Sequence, residues 1–267
     1  MAAGRNCFII SFPYFFTISA LVLTIFVIIS SLEDHGILSK LYFMRLNTQN
    51  LSVTVQSNTV TATSINPSFP DFFQVGLWNY CQGTISSANV YTISNCSNTH
   101  GLFYFNPISV IEQNLGISSI DNVPSQVDSA LKAVKAVSYV MIILYCVAAI
   151  FTVMEFIAGF FSFHSRGASV CTMIISFLAL ACVVAATALA TALYFVEARA
   201  FNDANATLGT TASTGRTTFG IAWGAAVAAI LASIFWLVSI CCGSTRHSRR
   251  SDVVYHPVDS AVGMRQM

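Results

Sequence analysis

Charge is the scarcest thing in this chain. Lys, Arg, Asp and Glu make up 9% of its 267 residues, whereas a soluble domain carries about 25%. A chain that is also 55% hydrophobic cannot solvate its own surface, so most of it is expected to face lipid. Other absences remove function classes. There is no G-x-S-x-G, no phosphate-binding glycine loop and no H-E-x-x-H, the motifs by which hydrolases, nucleotide enzymes and zinc proteases announce themselves. The five histidines, His35, His100, His164, His247 and His256, are scattered without metal-ligand spacing. No enzyme, metal or cofactor is therefore expected. No basic stripe exists to track a phosphate backbone, which argues against nucleic acid as a partner. Proline interrupts the apolar runs only at Pro13, and a transporter would be expected to show more broken helices and more intramembrane polarity.

What is present is four long apolar runs, 8–32, 137–161, 168–196 and 219–242. Each reaches the length of about 20 residues needed to cross a hydrocarbon core about 30 Å thick. The first is too long for the 7–15-residue apolar region typical of a cleaved signal peptide and lacks an A-x-A site, so it reads as a retained span. The second carries the only charge in any run, Glu155, about two turns from the span's end. An acid there is costly in lipid. It has three readings: reach toward the interface, hydrogen bonding to a neighbouring helix, or proton or ion handling. A catalytic dyad would need a second acid, which the runs lack.

Four spans place the loops 33–136 and 197–218 on one side. The N-terminus 1–7, the turn 162–167 and the tail 243–267 lie on the other. Each side holds six Lys and Arg, but the second packs them into far fewer residues, and the loop side also holds eight acids. Charge density therefore places both termini in the cytosol. N-x-S/T triplets at Asn50, Asn95 and Asn205 all fall in the loops so placed outside, making them glycosylation candidates, with Asn95 the least favoured if Cys96, inside its triplet, forms a disulfide.

The first loop is too long for a connector, and its pattern changes to alternation. "LSVTV" (51–55) and "VTATSI" (60–65) read as a hairpin about the four-residue turn "QSNT". "FQVGLWNYC" (73–81), "NVYTIS" (89–94) and "LFYF" (102–105) read as further strands. "NPISVIEQNL" (106–115) reads as a short helix with Pro107 near its start. As a strand, 73–81 would put Trp78 and Tyr80 on one face, either anchoring the sheet or lying at the lipid headgroups, with Gly76 allowing close packing. The fold expected is a transmembrane four-helix bundle carrying a small extracellular antiparallel β-sheet in the first loop. Cys81 and Cys96 are the only cysteines in either loop. In an oxidising compartment they have one intramolecular choice. Closing that loop of about 16 residues restricts the unfolded state by about 3 kcal/mol in the entropy model.

Gly76, Leu77, Trp78 and Cys81 followed by Cys96, on four spans, resemble the claudin superfamily signature. The chain is more similar to the fungal SUR-seven/PalI family, on "LWNYC" with Tyr80, the second Cys, and "YFNPISVIEQNL" (104–115) with its aromatic-Asn106-Pro107 segment, followed by "VPSQV" (123–127). That resemblance covers essentially the whole chain and implies a plasma-membrane protein of fungal cells. It implies one of two roles: organising eisosome-type membrane domains linked to cell-wall and lipid organisation, or assisting ambient-pH signalling as PalI members do. Two departures count against a paracellular pore. There is no earlier Trp between 33 and 77, and the spacing from Cys81 to Cys96 is longer than in claudins. The short tail tilts toward the eisosome-associated branch.

Gly220, Gly224, Ala228 and Ala232 recur every four residues in the last run, and Ala225, Ala229 and Ser233 run beside them. Such faces serve packing within the bundle or lateral self-association. Cys7, Cys241 and Cys242 are juxtamembrane and are palmitoylation candidates or plain thiols. Arg246, Arg249 and Arg250 can attract anionic inner-leaflet lipids, each charge contributing about 1 kcal/mol, and they also serve orientation. The expected protein is a non-catalytic organiser of plasma-membrane domains. Its expected partners are membrane lipids, copies of itself or other four-span and eisosome proteins. An accessory that stabilises a receptor is the alternative, and a channel or transporter a remote one.

Overall fold

A computed structural model describes residues 2–31, 36, 38–55, 58–117, 125–162 and 166–242. Four helices dominate: α1 (Ala2–Ile28), α4 (Ser125–Ser162), α5 (Arg166–Asp203) and α7 (Arg216–Cys242). Between them lie three short α-helices, α2 (Ala62–Ile65), α3 (Pro107–Leu115) and α6 (Asn205–Leu208), and one turn of 3-10 helix (Leu38–Lys40). Seven strands complete the described residues: β1 (Met44–Asn47), β2 (Ser52–Val55), β3 (Asn58–Thr61), β4 (Phe72–Val75), β5 (Tyr80–Ile85), β6 (Tyr91–Cys96) and β7 (Thr211–Thr214).

The four long helices are long and apolar enough to cross a membrane, and each contains one of the apolar runs almost entirely. α4 and α5 go further. At 38 residues each they are about 57 Å long, nearly twice the hydrocarbon thickness. Both overshoot on the side of the sheet. Hydropathy ended the second run at Val137 because Lys132 and Lys135 precede it. The helix ignores that boundary because its hydrogen bonds are internal and need no apolar side chain.

The main sheet is antiparallel, in the order β6-β5-β4-β1-β7. Its fifth strand comes from the second loop: Met44 pairs with Thr214 and Asn47 with Thr211. The sheet expected from the first loop alone is thus closed by a strand whose sequence, "TAST", carries no apolar alternation. The expected hairpin exists as a separate two-stranded ribbon, β2 with β3, but its register joins Val55 to Asn58. The turn is therefore shorter than "QSNT", and Ala62–Ile65 coils into a helical turn instead of extending the strand. "LFYF" is not a strand either. It crosses as irregular chain whose Phe103 and Phe105 drop into the core, so their alternation reports burial without pairing. α3 starts as its sequence suggests, with Pro107 in the first turn and the Asn106 side chain accepting from Ser109 N.

One apolar core runs without a break from sheet to bundle. It joins Phe43, Met44, Phe73 and Leu77 of the sheet region to Val27 of α1, Tyr145 of α4, Tyr194 of α5 and Phe219 of α7. Phe43 stacks on Tyr194 at 5.0 Å between ring centres and meets Phe219 edge-on at 5.7 Å. The closing strand depends on a glycine. Gly215 N donates to Phe43 O at 2.9 Å, and a Cβ on Gly215 would overlap the Tyr42 carbonyl.

Gly215→Val is therefore expected to part β7 from β1 and cost about 1–3 kcal/mol. Gly220→Ala, five residues on and facing open space, should stay within about 0.5 kcal/mol of the parent. Thermal melts of the two purified variants in one detergent check the contrast.

Candidate functional site

The stretch "VGLWNYC" is not one strand. Val75 ends β4, Tyr80 begins β5, and the two pair directly, so Gly76–Asn79 is the turn between them. Gly76 N donates to Asn79 O at 2.9 Å. Trp78 and Tyr80 consequently do not share a strand face, and the reason is the glycine. A Cβ at position 76 would stand 2.6 Å from Ser31 Cβ and 3.1 Å from Ser30 O. The chain reverses where it must press against the end of α1.

Trp78 makes that contact chemical. Its indole Nε1 donates to Ile28 O at 2.6 Å. Ile28 is the last residue of α1, and the last carbonyls of a helix have no partner within it. Leu77 beside it is buried. Tyr80 turns instead toward Phe73, Phe103 and Phe105, with ring centres 6.1, 6.5 and 6.0 Å away, and burial pushes its phenol above the usual range.

A polar chain completes the seat. Ser31 Oγ donates to Leu41 O at 2.7 Å. The fully buried Gln74 donates to Ser39 O at 2.7 Å and accepts from Arg45 Nη2 at 2.8 Å. The Arg45 guanidinium lies between the rings of Tyr42 and Tyr91, 4.2 and 4.1 Å from their centres, where cation–π attraction compensates for lost water. Arg45 and Gln74 carried no motif. The signal that could have found them is two polar residues set among the core-forming runs at 41–46 and 72–75.

Cys81 and Cys96 form the disulfide, across directly paired residues of β5 and β6. It fixes the outer hairpin at the base, next to the turn. Asn50, Asn95 and Asn205 are all exposed, each in the sheet-side loops.

A second polar centre lies within the bundle. Glu155 is 3% exposed and does not reach for an interface. Thr17 of α1 donates to it at 3.0 Å, and Ser176 of α5 and Trp236 of α7 lie beside it. The Trp236 indole lies 3.4 Å from Thr17 Oγ1, and Ser176 bonds Ser233 of α7 at 2.9 Å. Every long helix thus contributes to one node. The small-residue ladder divides: Ala228 and Ala232 are buried inside the bundle, Gly224 faces Leu23 of α1, and Gly220 is exposed with open space around it. The neighbouring row Ala225, Ala229 and Ser233 is buried too. Arg246, Arg249 and Arg250 lie outside the described residues, as do the side chains of Cys7, Cys241 and Cys242.

A family model described as the SUR7/PalI family matches residues 9–235. Protein PUN1 of Saccharomyces cerevisiae is 26% identical over 249 residues, covering 87% of this chain and 91% of that protein. SUR7 family protein pun1 of Schizosaccharomyces pombe is 35% identical over 86 residues, 31% of this chain and 29% of its own.

Trp78→Phe keeps the ring and strands the Ile28 carbonyl. It is expected to destabilise by about 1–3 kcal/mol while the disulfide still forms, as read by melting and by non-reducing mobility. At the bundle node, Glu155→Gln retains an acceptor for Thr17 and should change stability by no more than about 0.6 kcal/mol, whereas Glu155→Leu leaves the buried Thr17 hydroxyl without that acceptor and should cost about 1–2 kcal/mol. Equal melting of the Gln and Leu variants would mean that the node does not hold the bundle.

Proposed function

This chain belongs to the SUR7/PalI family of multi-pass membrane proteins, and from that premise we propose that it is a non-catalytic organiser of plasma-membrane domains of the eisosome type. In this reading the sheet faces outward, both termini are cytosolic, and the broad apolar flanks of the helices arrange lipid and neighbouring copies. The observation that carries the reading is how thoroughly the four helices are tied to one another and to the sheet. The buried Glu155 of α4 accepts from Thr17 of α1, which is joined in turn to Trp236 of α7, Ser233 of α7 bonds Ser176 of α5, the small residues of the helices are largely buried in mutual contact, and the turn at Trp78 locks the sheet to α1. Such a body suits a fixed shape presented to lipid. Phe15, Phe161 and Val196 stand 63%, 63% and 67% exposed on its flanks, which is the side-chain chemistry of a lipid-facing surface.

The test is imaging. A fluorescent protein fused to the C-terminus, expressed at native level in a fungal cell beside an eisosome marker, should form patches that stay immobile for minutes and coincide with the marker. A diffuse or endosomal signal would sink this reading in favour of an accessory to a signalling receptor.

A further inference from the structure

Beside the disulfide the sheet opens into a cleft of about 650 Å³, bounded by the exit of β6, the 102–106 segment and the outer face of α3. That size is within the range of about 300–1,000 Å³ usual for small-molecule sites. No Lys, Arg, Asp or Glu lines it. Its walls carry amides, hydroxyls and the imidazole of His100, and its base is the ring group of Tyr80, Phe103 and Phe105.

The amides give this cleft its character because three of them converge on one concave surface. Several others in the fold are committed to backbone: Asn66 to Asn114 O, Asn114 to Val110 O, Gln74 to Ser39 O, and Asn202 to both N and O of Ala212. Around the cleft, the exposed Asn95, Asn98 and Gln113 make no side-chain bond to the described residues. Each offers two donors and an acceptor. Their backing is stiff, since Cys96 is cross-linked and Tyr80 N is held by Ser97 Oγ at 3.1 Å, so little ordering is needed when a ligand arrives. The phenol of Tyr80, pushed up by burial, stays neutral.

We propose that this cleft binds a neutral oligosaccharide. A sugar presents rings of hydroxyls that both donate and accept, together with apolar C–H faces. Uncommitted amides answer the first and aromatic rings the second. The lack of Lys and Arg leaves only the His100 imidazole to answer phosphate and other anions, which call for charge-assisted bonds, and the lack of Asp and Glu disfavours cations. The inference rests on the outward placement of the sheet, the side on which glycans lie. Two sources supply such a ligand: a free neutral polysaccharide, or an N-glycan on this chain's own Asn95, which forms part of the cleft wall.

The experiment uses the full chain in lipid nanodiscs free of sugar detergents. Linear neutral glucose and mannose hexasaccharides are titrated by calorimetry, with polygalacturonate as the anionic control. At least one neutral hexamer should bind and the control should not. Asn98→Ala with Gln113→Ala should weaken binding at least about tenfold with unchanged melting, and Asn50→Ala should leave it intact. If the ligand is the chain's own glycan, protein from a glycosylating host binds no hexamer until Asn95 is changed to Gln or the glycan is enzymatically removed. If the ligand is free polymer, both forms bind alike. Failure of every neutral hexamer to bind folded Asn95→Gln protein, or binding indifferent to Asn98 and Gln113, overturns the proposal. A sugar found on a site engineered into the tail would overturn the outward placement instead, and leaves the nanodisc titration as a separate result.

Discussion

The structure depends on how one helix ends. α1 leaves its bundle at Ile28 with carbonyls that nothing in the helix can satisfy, and within or beside lipid such groups are expensive to leave bare. The chain resolves this by folding a hairpin turn back onto them. Trp78 donates its N–H to Ile28 O, Gly76 lets the backbones approach, and Gln74 and Ser31 bridge to the next segment. Since the turn joins the central strand β4 to β5, the orientation of the whole sheet follows from this contact. The disulfide at Cys81, one residue beyond the start of β5, prevents the hairpin from opening beside it.

The same reasoning extends into the bundle. Lipid supplies no hydrophobic drive for helices to associate, so close packing and interhelical hydrogen bonds must do so. Ala186, Ala190, Ala225 and Ala232 bring the backbones together. Glu155, Thr17, Ser176, Ser233 and Trp236 join their faces. The sheet end uses aromatic packing for the same purpose, with Phe43 set between Tyr194 and Phe219. These rings join the two halves, so the sheet cannot tilt without disturbing α5 and α7.

Much of this was legible in the residues. Four spans, the disulfide, α3 and the antiparallel character of the outer part all follow from local chemistry: apolar length, cysteine count, an Asn-Pro helix start and alternation. The failures share a cause. "FQVGLWNYC" alternates like one strand because both arms of a hairpin bury side chains, and alternation does not register a reversal at a glycine. "LFYF" alternates because Phe103 and Phe105 fill the core, although no strand lies beside it. "TAST" lacks alternation yet pairs, since an edge strand is held by its backbone.

Sequence by itself determined that the chain inhabits a membrane, how many times it can cross, and which two cysteines close a loop, because hydrocarbon thickness and cysteine number leave few solutions. Tertiary structure alone decided what the polar residues within the apolar chain are for. Trp78 meets α1 across fifty residues, β7 joins β1 from the far loop, and Glu155 with Thr17, Trp236, Ser233 and Ser176 links the four long helices. Each is a contact between segments distant in the chain, made because a buried donor or acceptor must find its partner wherever the fold brings one. No local pattern encodes that choice.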